Sequence, residues 1–197
     1  MKVRRILTNP IVIAAFAEFV IIAAIVFIAL ILRAQAGDLR AFEHILLGLE
    51  PRLRAYVRRL VADAPAADDI LQECLLRLWR GLPWLREPAL FRAWAYRIAT
   101  REAYRAMKRE RRIEEMRADA SALEALQAPF ADAAVKLDAE RCLVQVSPLA
   151  RATLVAHYFE GLTLEEVSAV TGAPLGTVKS RLASGLAQLR QLMGEAP

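Results

Sequence analysis

A run of 22 residues near the start of the chain, "IVIAAFAEFVIIAAIVFIALIL" at residues 11–32, contains a single charged side chain, Glu18. As a helix this apolar segment would be about 33 Å long, which matches the ~30 Å hydrocarbon core of a bilayer. The pattern predicts a membrane span that begins at Ile11, carries Glu18 and ends at Leu32. The alternatives are a cleaved signal sequence, a buried helix, and a start codon assigned too far upstream.

Basic residues flank the apolar segment on both sides. Lys2, Arg4 and Arg5 precede it, and a larger group of arginines follows it between residues 33 and 59. Positive charge is enriched on the cytoplasmic side of membrane spans, so the larger group favours a cytoplasmic location for the C-terminal part. We therefore predict a cytoplasmic protein that the apolar segment could anchor to the cytoplasmic face of the inner membrane.

The sequence after residue 36 is rich in Leu, Ala, Arg and Glu and has almost no alternating, strand-like patterns, so we predict an all-α fold. Net charge is +6 over residues 37–112, −5 over 113–140 and +1 over 141–197. This division predicts two small helical domains, 37–112 and 141–197, joined by an acidic linker at 113–140 and preceded by segment 1–36. Cys74 and Cys142 lie among aliphatic residues and are predicted core positions; we predict no metal, no cofactor and no enzyme activity.

The first domain contains two helical patterns with different chemistry. In "DDILQECLLRLW" at residues 68–79 the apolar residues share one helical face, and charged and amide side chains occupy the other. In "FRAWAYRIATREAYRAMKRERR" at residues 91–112, arginine recurs every four positions, and residues 97–112 hold seven basic and two acidic side chains. A basic stripe beside aromatic side chains favours nucleic-acid binding, although a solvated helix face gives the same pattern.

The second domain ends in "LTLEEVSAVTGAPLGTVKSRLASGLAQLRQLM" at residues 162–193. Thr163 and Glu166 form a capping-box pattern, Gly172 is placed to end one helix, and Pro174 is placed to start the next. Two helices joined by a tight turn predict a helix-turn-helix, whose second helix enters the major groove of DNA. A helical hairpin that serves only for packing is the alternative.

In this order, the motifs resemble the extracytoplasmic-function (ECF) group of bacterial sigma-70 family RNA polymerase sigma factors. "DILQECLLRLW" at 69–79 is similar to the helix that binds the β′ clamp of polymerase, "FRAWAYRIA" at 91–99 to the segment that melts the −10 promoter element, and "GTVKSRL" at 176–182 to the −35-reading helix. The resemblance implies a sigma factor that directs core RNA polymerase to promoters. The implied partners are the β′ clamp and β flap of polymerase, promoter DNA and an anti-sigma factor.

The resemblance also implies roles for individual residues, with a base-binding pocket in the loop at 84–89. The implied polymerase-binding residues are Asp69, Gln72, Glu73 and Arg77. The implied −10 DNA-binding residues are Trp84, Leu85, Arg86, Trp94, Arg97, Arg101, Arg105 and Lys108. The implied −35 DNA-binding residues are Gly176, Thr177, Lys179, Ser180 and Arg181.

Three features depart from the family. Arg101 and Arg105 stand where the family usually has Asn and Asp, which makes the −10 helix more basic than is typical. The apolar segment is unusual for these factors, and it suggests a tether that holds the sigma domains at the membrane until they are released. The stretch "ASGLAQLR" at 183–190 lacks the family's basic run, which predicts weak −35 binding, and Gly185 should cost about 1 kcal/mol in a helix interior. The alternative functions are a membrane-bound helix-turn-helix regulator and a degenerate sigma-like protein that titrates polymerase or an anti-sigma factor.

Overall fold

Helices make up the regular structure of the part of the chain that the computed structural model describes, residues 10–61, 63–120 and 136–194. The all-α prediction is therefore confirmed. The α-helices are α1 (Pro10–Gln35), α2 (Leu39–Leu60), α3 (Ala64–Gly81), α4 (Phe91–Ala120), α5 (Lys136–Gln145), α6 (Pro148–Leu154), α7 (Leu164–Thr171) and α8 (Leu175–Leu192). Two 3-10 turns, Leu82–Trp84 and Pro88–Leu90, connect α3 to α4, and a π-helical turn, Val155–Phe159, follows α6.

The predicted acidic linker is partly helical. Helix α4 continues to Ala120 and α5 begins at Lys136, so both ends of the 113–140 stretch belong to helices. The central part of that prediction, residues 121–135, lies outside the described residues. The basic residues that precede the apolar segment also lie outside them.

Helix α1 turns directly into α2 through a tight C-terminal cap. Gly37 has a φ of 94°, which favours glycine, and its N–H donates to the Ala34 carbonyl at 3.0 Å, while the Asp38 N–H donates to the Arg33 carbonyl at 3.1 Å. These two hydrogen bonds form a Schellman motif. The Asp38 carboxylate then accepts from the Ala41 N–H at 3.1 Å, which caps α2, and from Arg33 Nη2 at 2.6 Å. The end of α1 is thereby fixed against the first domain.

The core of the first domain lies between α2, α3 and α4, and it includes residues of α1. Ile31 is 0% exposed and Ala34 is 3% exposed, which makes them as buried as the inward-facing residues of α2. Toward the N-terminus of the same helix, residues 17–27 are exposed. The predicted boundary after residue 36 thus runs through a packed unit, because α1 ends inside it. Cys74 is fully buried as a free thiol, and Cys142 in the second domain is also buried and free, as predicted.

The second domain contains the predicted helix-turn-helix, α7 and α8. The Thr163 N–H donates to Glu166 Oε2 at 2.8 Å and the Glu166 N–H donates to Thr163 Oγ1 at 3.1 Å, so the capping box is confirmed. Gly172 ends α7 with a φ of 71°. Gly185 is buried against α6, where an added Cβ would lie 2.8 Å from Leu154 Cδ1. Close helix packing therefore explains this glycine, which the sequence alone presented as a cost.

Candidate polymerase and promoter interface

The polar face of α3 borders a groove of about 480 Å³ between α3 and α4. Asp69 and Gln72 are exposed on this face, and Glu73 is half-buried. Arg77 Nε donates to Glu73 Oε1 at 2.8 Å, one helical turn away, and lies 3.2 Å from Glu102 Oε1 on α4. The four predicted polymerase-binding side chains therefore share one face, and the ion pairs hold Glu73 and Arg77 in place.

Glu102 is a member of this cluster that sequence reasoning did not single out. It is 8% exposed, and its Oε1 accepts from Arg105 Nη1 at 2.6 Å as well as lying near Arg77. The available signal was an acidic residue within an otherwise basic stretch. Because it is engaged by Glu102, Arg105 lines the groove rather than standing free beside the other predicted −10 cations.

The loop from 82 to 90 carries three of the predicted −10 residues, Trp84, Leu85 and Arg86. Its two 3-10 turns each contain a proline, and the Leu85 N–H donates to the Leu82 carbonyl at 3.1 Å while the Leu90 N–H donates to the Glu87 carbonyl at 3.0 Å. Trp84 is 83% exposed within this loop, and Arg86 is exposed beside it. The loop thus presents a free indole ring on a backbone with few conformational options.

Trp94, the second tryptophan of the predicted −10 site, packs beneath the loop. Its ring is half-buried and lies 5.9 Å from the Phe91 ring. A Cβ on Gly81 would lie 2.9 Å from Trp94 Cζ2, so the glycine makes room for the indole. Trp94 therefore supports the loop, and Trp84 offers the accessible face.

The basic stripe of α4 lies opposite its buried face. Arg97, Arg101 and Lys108 are exposed, whereas Tyr96 and Thr100 are buried. Each four-residue step rotates about 40° around a helix, so positions 97, 101 and 108 remain on one face and position 105 drifts toward its edge. Arg97, Arg101 and Lys108 therefore lie along one exposed face of α4, and Arg105 lines the groove toward α3.

The start of α8 presents the predicted −35 residues. Gly176, Lys179 and Ser180 are exposed, and Thr177 and Arg181 are half-buried. The Ser180 hydroxyl donates to the Thr177 carbonyl at 3.0 Å, inside the helix. Small and cationic side chains at a helix N-terminus suit close approach to bases and phosphates.

Comparison with known proteins decides the family. Residues 47–113 match Sigma-70 region 2, and residues 136–189 match Sigma-70, region 4. The RNA polymerase sigma-H factor of Pseudomonas aeruginosa is 30% identical over 166 residues, which cover 78% of this chain and 86% of that protein. The RNA polymerase sigma-E factor of Streptomyces avermitilis is 33% identical over 158 residues, which cover 79% of this chain and 86% of that protein. The chain belongs to the ECF group of sigma-70 family sigma factors.

Solved structures carry the same fold. The sigma factor RpoE of Bartonella quintana, solved in complex with the anti-sigma factor NepR, is 26% identical with a TM-score of 0.66, over 79% of this chain and 98% of that one. CnrH, solved in complex with the cytosolic domain of CnrY, is 21% identical with a TM-score of 0.65, over 87% of this chain and 99% of that one. Both support the two helical units, here called region 2 (α2–α4) and region 4 (α5–α8).

The two regions of this sigma factor touch through a buried carboxylate. Glu160, which follows the π-helical turn, is 5% exposed, and its Oε2 accepts a hydrogen bond from the Tyr96 hydroxyl of α4. Arg52 Nη2 lies 3.5 Å from the same oxygen, and the Arg92 guanidinium donates to the Glu160 backbone carbonyl. Burial, and then the hydrogen bond to Glu160, raises the pKa of Tyr96 well above its usual range.

Arg151 of α6 makes a second link between the regions. It is 6% exposed, and its Nη1 donates to the Leu60 carbonyl at 2.7 Å, at the last residue of α2. Its Nη2 donates to the Val146 carbonyl at 3.1 Å and to that of Val144, at the end of α5. One guanidinium therefore caps the C-termini of two helices, where the helix dipole favours positive charge. Burial lowers its pKa, in the direction expected for a desolvated cation.

Proposed function

We propose that this sigma factor binds core RNA polymerase through the groove between α3 and α4, opens the −10 element with the 82–90 loop and the basic face of α4, and binds the −35 element with the start of α8. The observation that carries the proposal is Trp84, an indole 83% exposed on a loop restrained by hydrogen bonds and two prolines at the head of a basic helix. An unstacked base can stack on such a ring, and nearby cations can hold its strand.

The polymerase contact rests on preorganised charge. Asp69 and Gln72 are free to meet a partner, while the Glu73–Arg77 pair is already formed on the same face. Charges arranged in advance lose less side-chain entropy on binding and set the orientation of the partner. The β′ clamp is the surface of polymerase that we assign to this face, and region 4 is assigned to the β flap.

Reconstituted transcription with core polymerase tests the promoter assignment. Base stacking on an aromatic ring contributes roughly 1–3 kcal/mol, so Trp84→Ala should lower open-complex formation by about tenfold or more, and Trp84→Phe should retain part of it. Leu47→Ala is the matched control, because Leu47 is a 75% exposed apolar side chain that belongs to α2 and not to the loop.

The outcomes separate the candidate functions. Permanganate reactivity of the −10 thymines should fall in Trp84→Ala and remain in Leu47→Ala. Equal reactivity in both variants would refute the assignment of the loop. A full-length protein that binds core polymerase and yields no run-off transcript from any promoter library would favour the titrating alternative.

We also propose that α1 holds the protein at the inner membrane, with the sigma regions at its cytoplasmic face. Residues 17–35 of α1 have a mean hydropathy of 2.5, and residues 17–26 among them are exposed, so that part is available to lipid. Glu18 is exposed within this segment, and a carboxylate inside the hydrocarbon layer costs about 2–3 kcal/mol unless it is protonated or paired. Carbonate extraction, with the N-terminal peptide read by mass spectrometry, tests this. Full-length protein in the soluble fraction would refute it.

A further inference from the structure

The last turn of α1 is hydrogen-bonded to the 82–90 loop. The half-buried Gln35 side chain uses its amide nitrogen, Nε2, to donate to the Leu82 carbonyl at 3.0 Å and to the Leu85 carbonyl at 2.7 Å. Those two carbonyls flank Trp84 in the chain. One side chain of α1 therefore ties down the backbone on both sides of the exposed indole.

Apolar contacts of α1 hold the other end of the same loop. The Phe27 ring meets the Phe91 ring edge-on at 5.9 Å, and Phe91 is the first residue of α4, directly after the second 3-10 turn. Ile31, one turn farther along α1, is fully buried on the same side. Residues 27–35 thus contact the loop where it leaves α3 and where it enters α4.

We propose that residues 27–35 of α1 are a positioning element for the −10-reading loop, an inference that rests on the proposed role of that loop. Capturing a flipped base requires the indole and its backbone to keep one geometry, and each degree of freedom left in the loop must be lost on binding. The two Gln35 hydrogen bonds remove that freedom in advance. Gln35 touches no DNA in this scheme and acts through the backbone of the loop.

The same contacts limit how much of α1 can lie in a membrane. Residues 27–35 cannot lie in hydrocarbon while they pack on Phe91 and the loop, so residues 10–26 remain for the bilayer, 17 residues or about 26 Å of helix. A cleavage that releases a fully competent sigma factor must then fall before Phe27. A cut near residue 34, at the end of the apolar segment, would remove the positioning element with the tether.

Two pairs of variants of the full-length protein in detergent test the proposal. Gln35→Met keeps the length of the side chain and loses both donors, whereas Gln35→Lys keeps donors that can reach carbonyls. Phe27→Ala removes the ring against Phe91, and Phe19→Ala removes a 68% exposed ring from the same helix as its control. The readouts are open-complex formation on −10 elements that vary at each base, affinity for core polymerase, and affinity for −35 duplex.

Gln35→Met and Phe27→Ala should lower open-complex formation roughly tenfold and flatten the preference at the flipped base, with core and −35 affinities unchanged. Gln35→Lys and Phe19→Ala should behave like the wild type. Wild-type base preference in Gln35→Met, or equal defects in the Met and Lys variants, would overturn the proposal, as would parallel loss of core and −35 binding. If Trp84→Ala also keeps normal base preference, the proposed function of the loop itself fails.

Discussion

Replacing Tyr96 by Phe tests the hydrogen bond that joins α4 of region 2 to the buried Glu160 of region 4. The Tyr96 hydroxyl donates to the buried Glu160 carboxylate. The Arg52 guanidinium lies 3.5 Å from the same carboxylate, and its side chain is 53% exposed. Phenylalanine keeps the ring, and with it the T-shaped contact to Tyr56 at a centroid distance of 5.0 Å. The substitution therefore removes one hydrogen-bond donor and very little packing.

The magnitude follows from what the carboxylate loses. Hydrogen bonds to charged groups contribute about 1.5–3 kcal/mol, and a buried acceptor left without a donor keeps its desolvation cost. A solvent-exposed arginine at 3.5 Å is screened and replaces little of this. We expect Tyr96→Phe to lower the free energy of unfolding by about 2 kcal/mol. Tyr104→Phe is the control on the same helix, since its hydroxyl donates to the neutral Pro148 carbonyl at 3.2 Å and should contribute about 0.5–1 kcal/mol.

Urea unfolding of the full-length protein in a mild detergent, followed by tryptophan fluorescence, measures both losses. The test is the ranking: equal losses, or none for Tyr96→Phe, would refute the assigned strength of the contact. The pH dependence gives a second check, because the folded pKa of Tyr96 is raised from 10.0. Its contribution is fully present below pH 10 and is lost as pH rises above that value, so wild-type stability should fall more steeply there than that of Tyr96→Phe.

Three further predictions concern other parts of the fold. Gly185→Ala should destabilise the protein by about 1–3 kcal/mol, because the added Cβ would lie 2.8 Å from a leucine side chain of α6. Gly48→Ala in α2 places its Cβ in open space and should stabilise the protein by about 0.5–1 kcal/mol. Thermal unfolding of the two variants checks both values. Burial raises the pKa of Cys74 to about 12, which keeps the thiol protonated at pH 8. In a Cys142→Ala background, iodoacetamide should therefore label Cys74 at pH 8 only after unfolding. Rapid labelling of the folded protein would contradict this. Arg101→Ala should weaken −10 DNA binding equally for all sequences and reduce the salt-dependence slope by about 1, as measured by titrations at several salt concentrations.

Local rules were enough to predict the helix-turn-helix. The capping pair Thr163 and Glu166, and the glycine that ends α7, act within a few residues, so their effect can be read from the sequence. Gln35 and Glu102 could not be assigned in this way, because Gln35 binds carbonyls of the 82–90 loop and Glu102 is joined to Arg77 of α3, contacts that are remote in sequence. Gly185 illustrates the same limit, since helix propensity predicts a cost and only the approach of α6 reveals the benefit. The polymerase, −10 and −35 residues remain proposals carried by exposure and by the resemblance.

Two buried charged side chains of region 4 bind region 2, and the periodicity of the sequence does not reveal them. Within the described residues, the buried charged side chains of region 4 are Arg151 and Glu160, and each is hydrogen-bonded to region 2, at Leu60 and Tyr96. Burying them costs desolvation, so these polar links fix the geometry of the contact while adding little net stability.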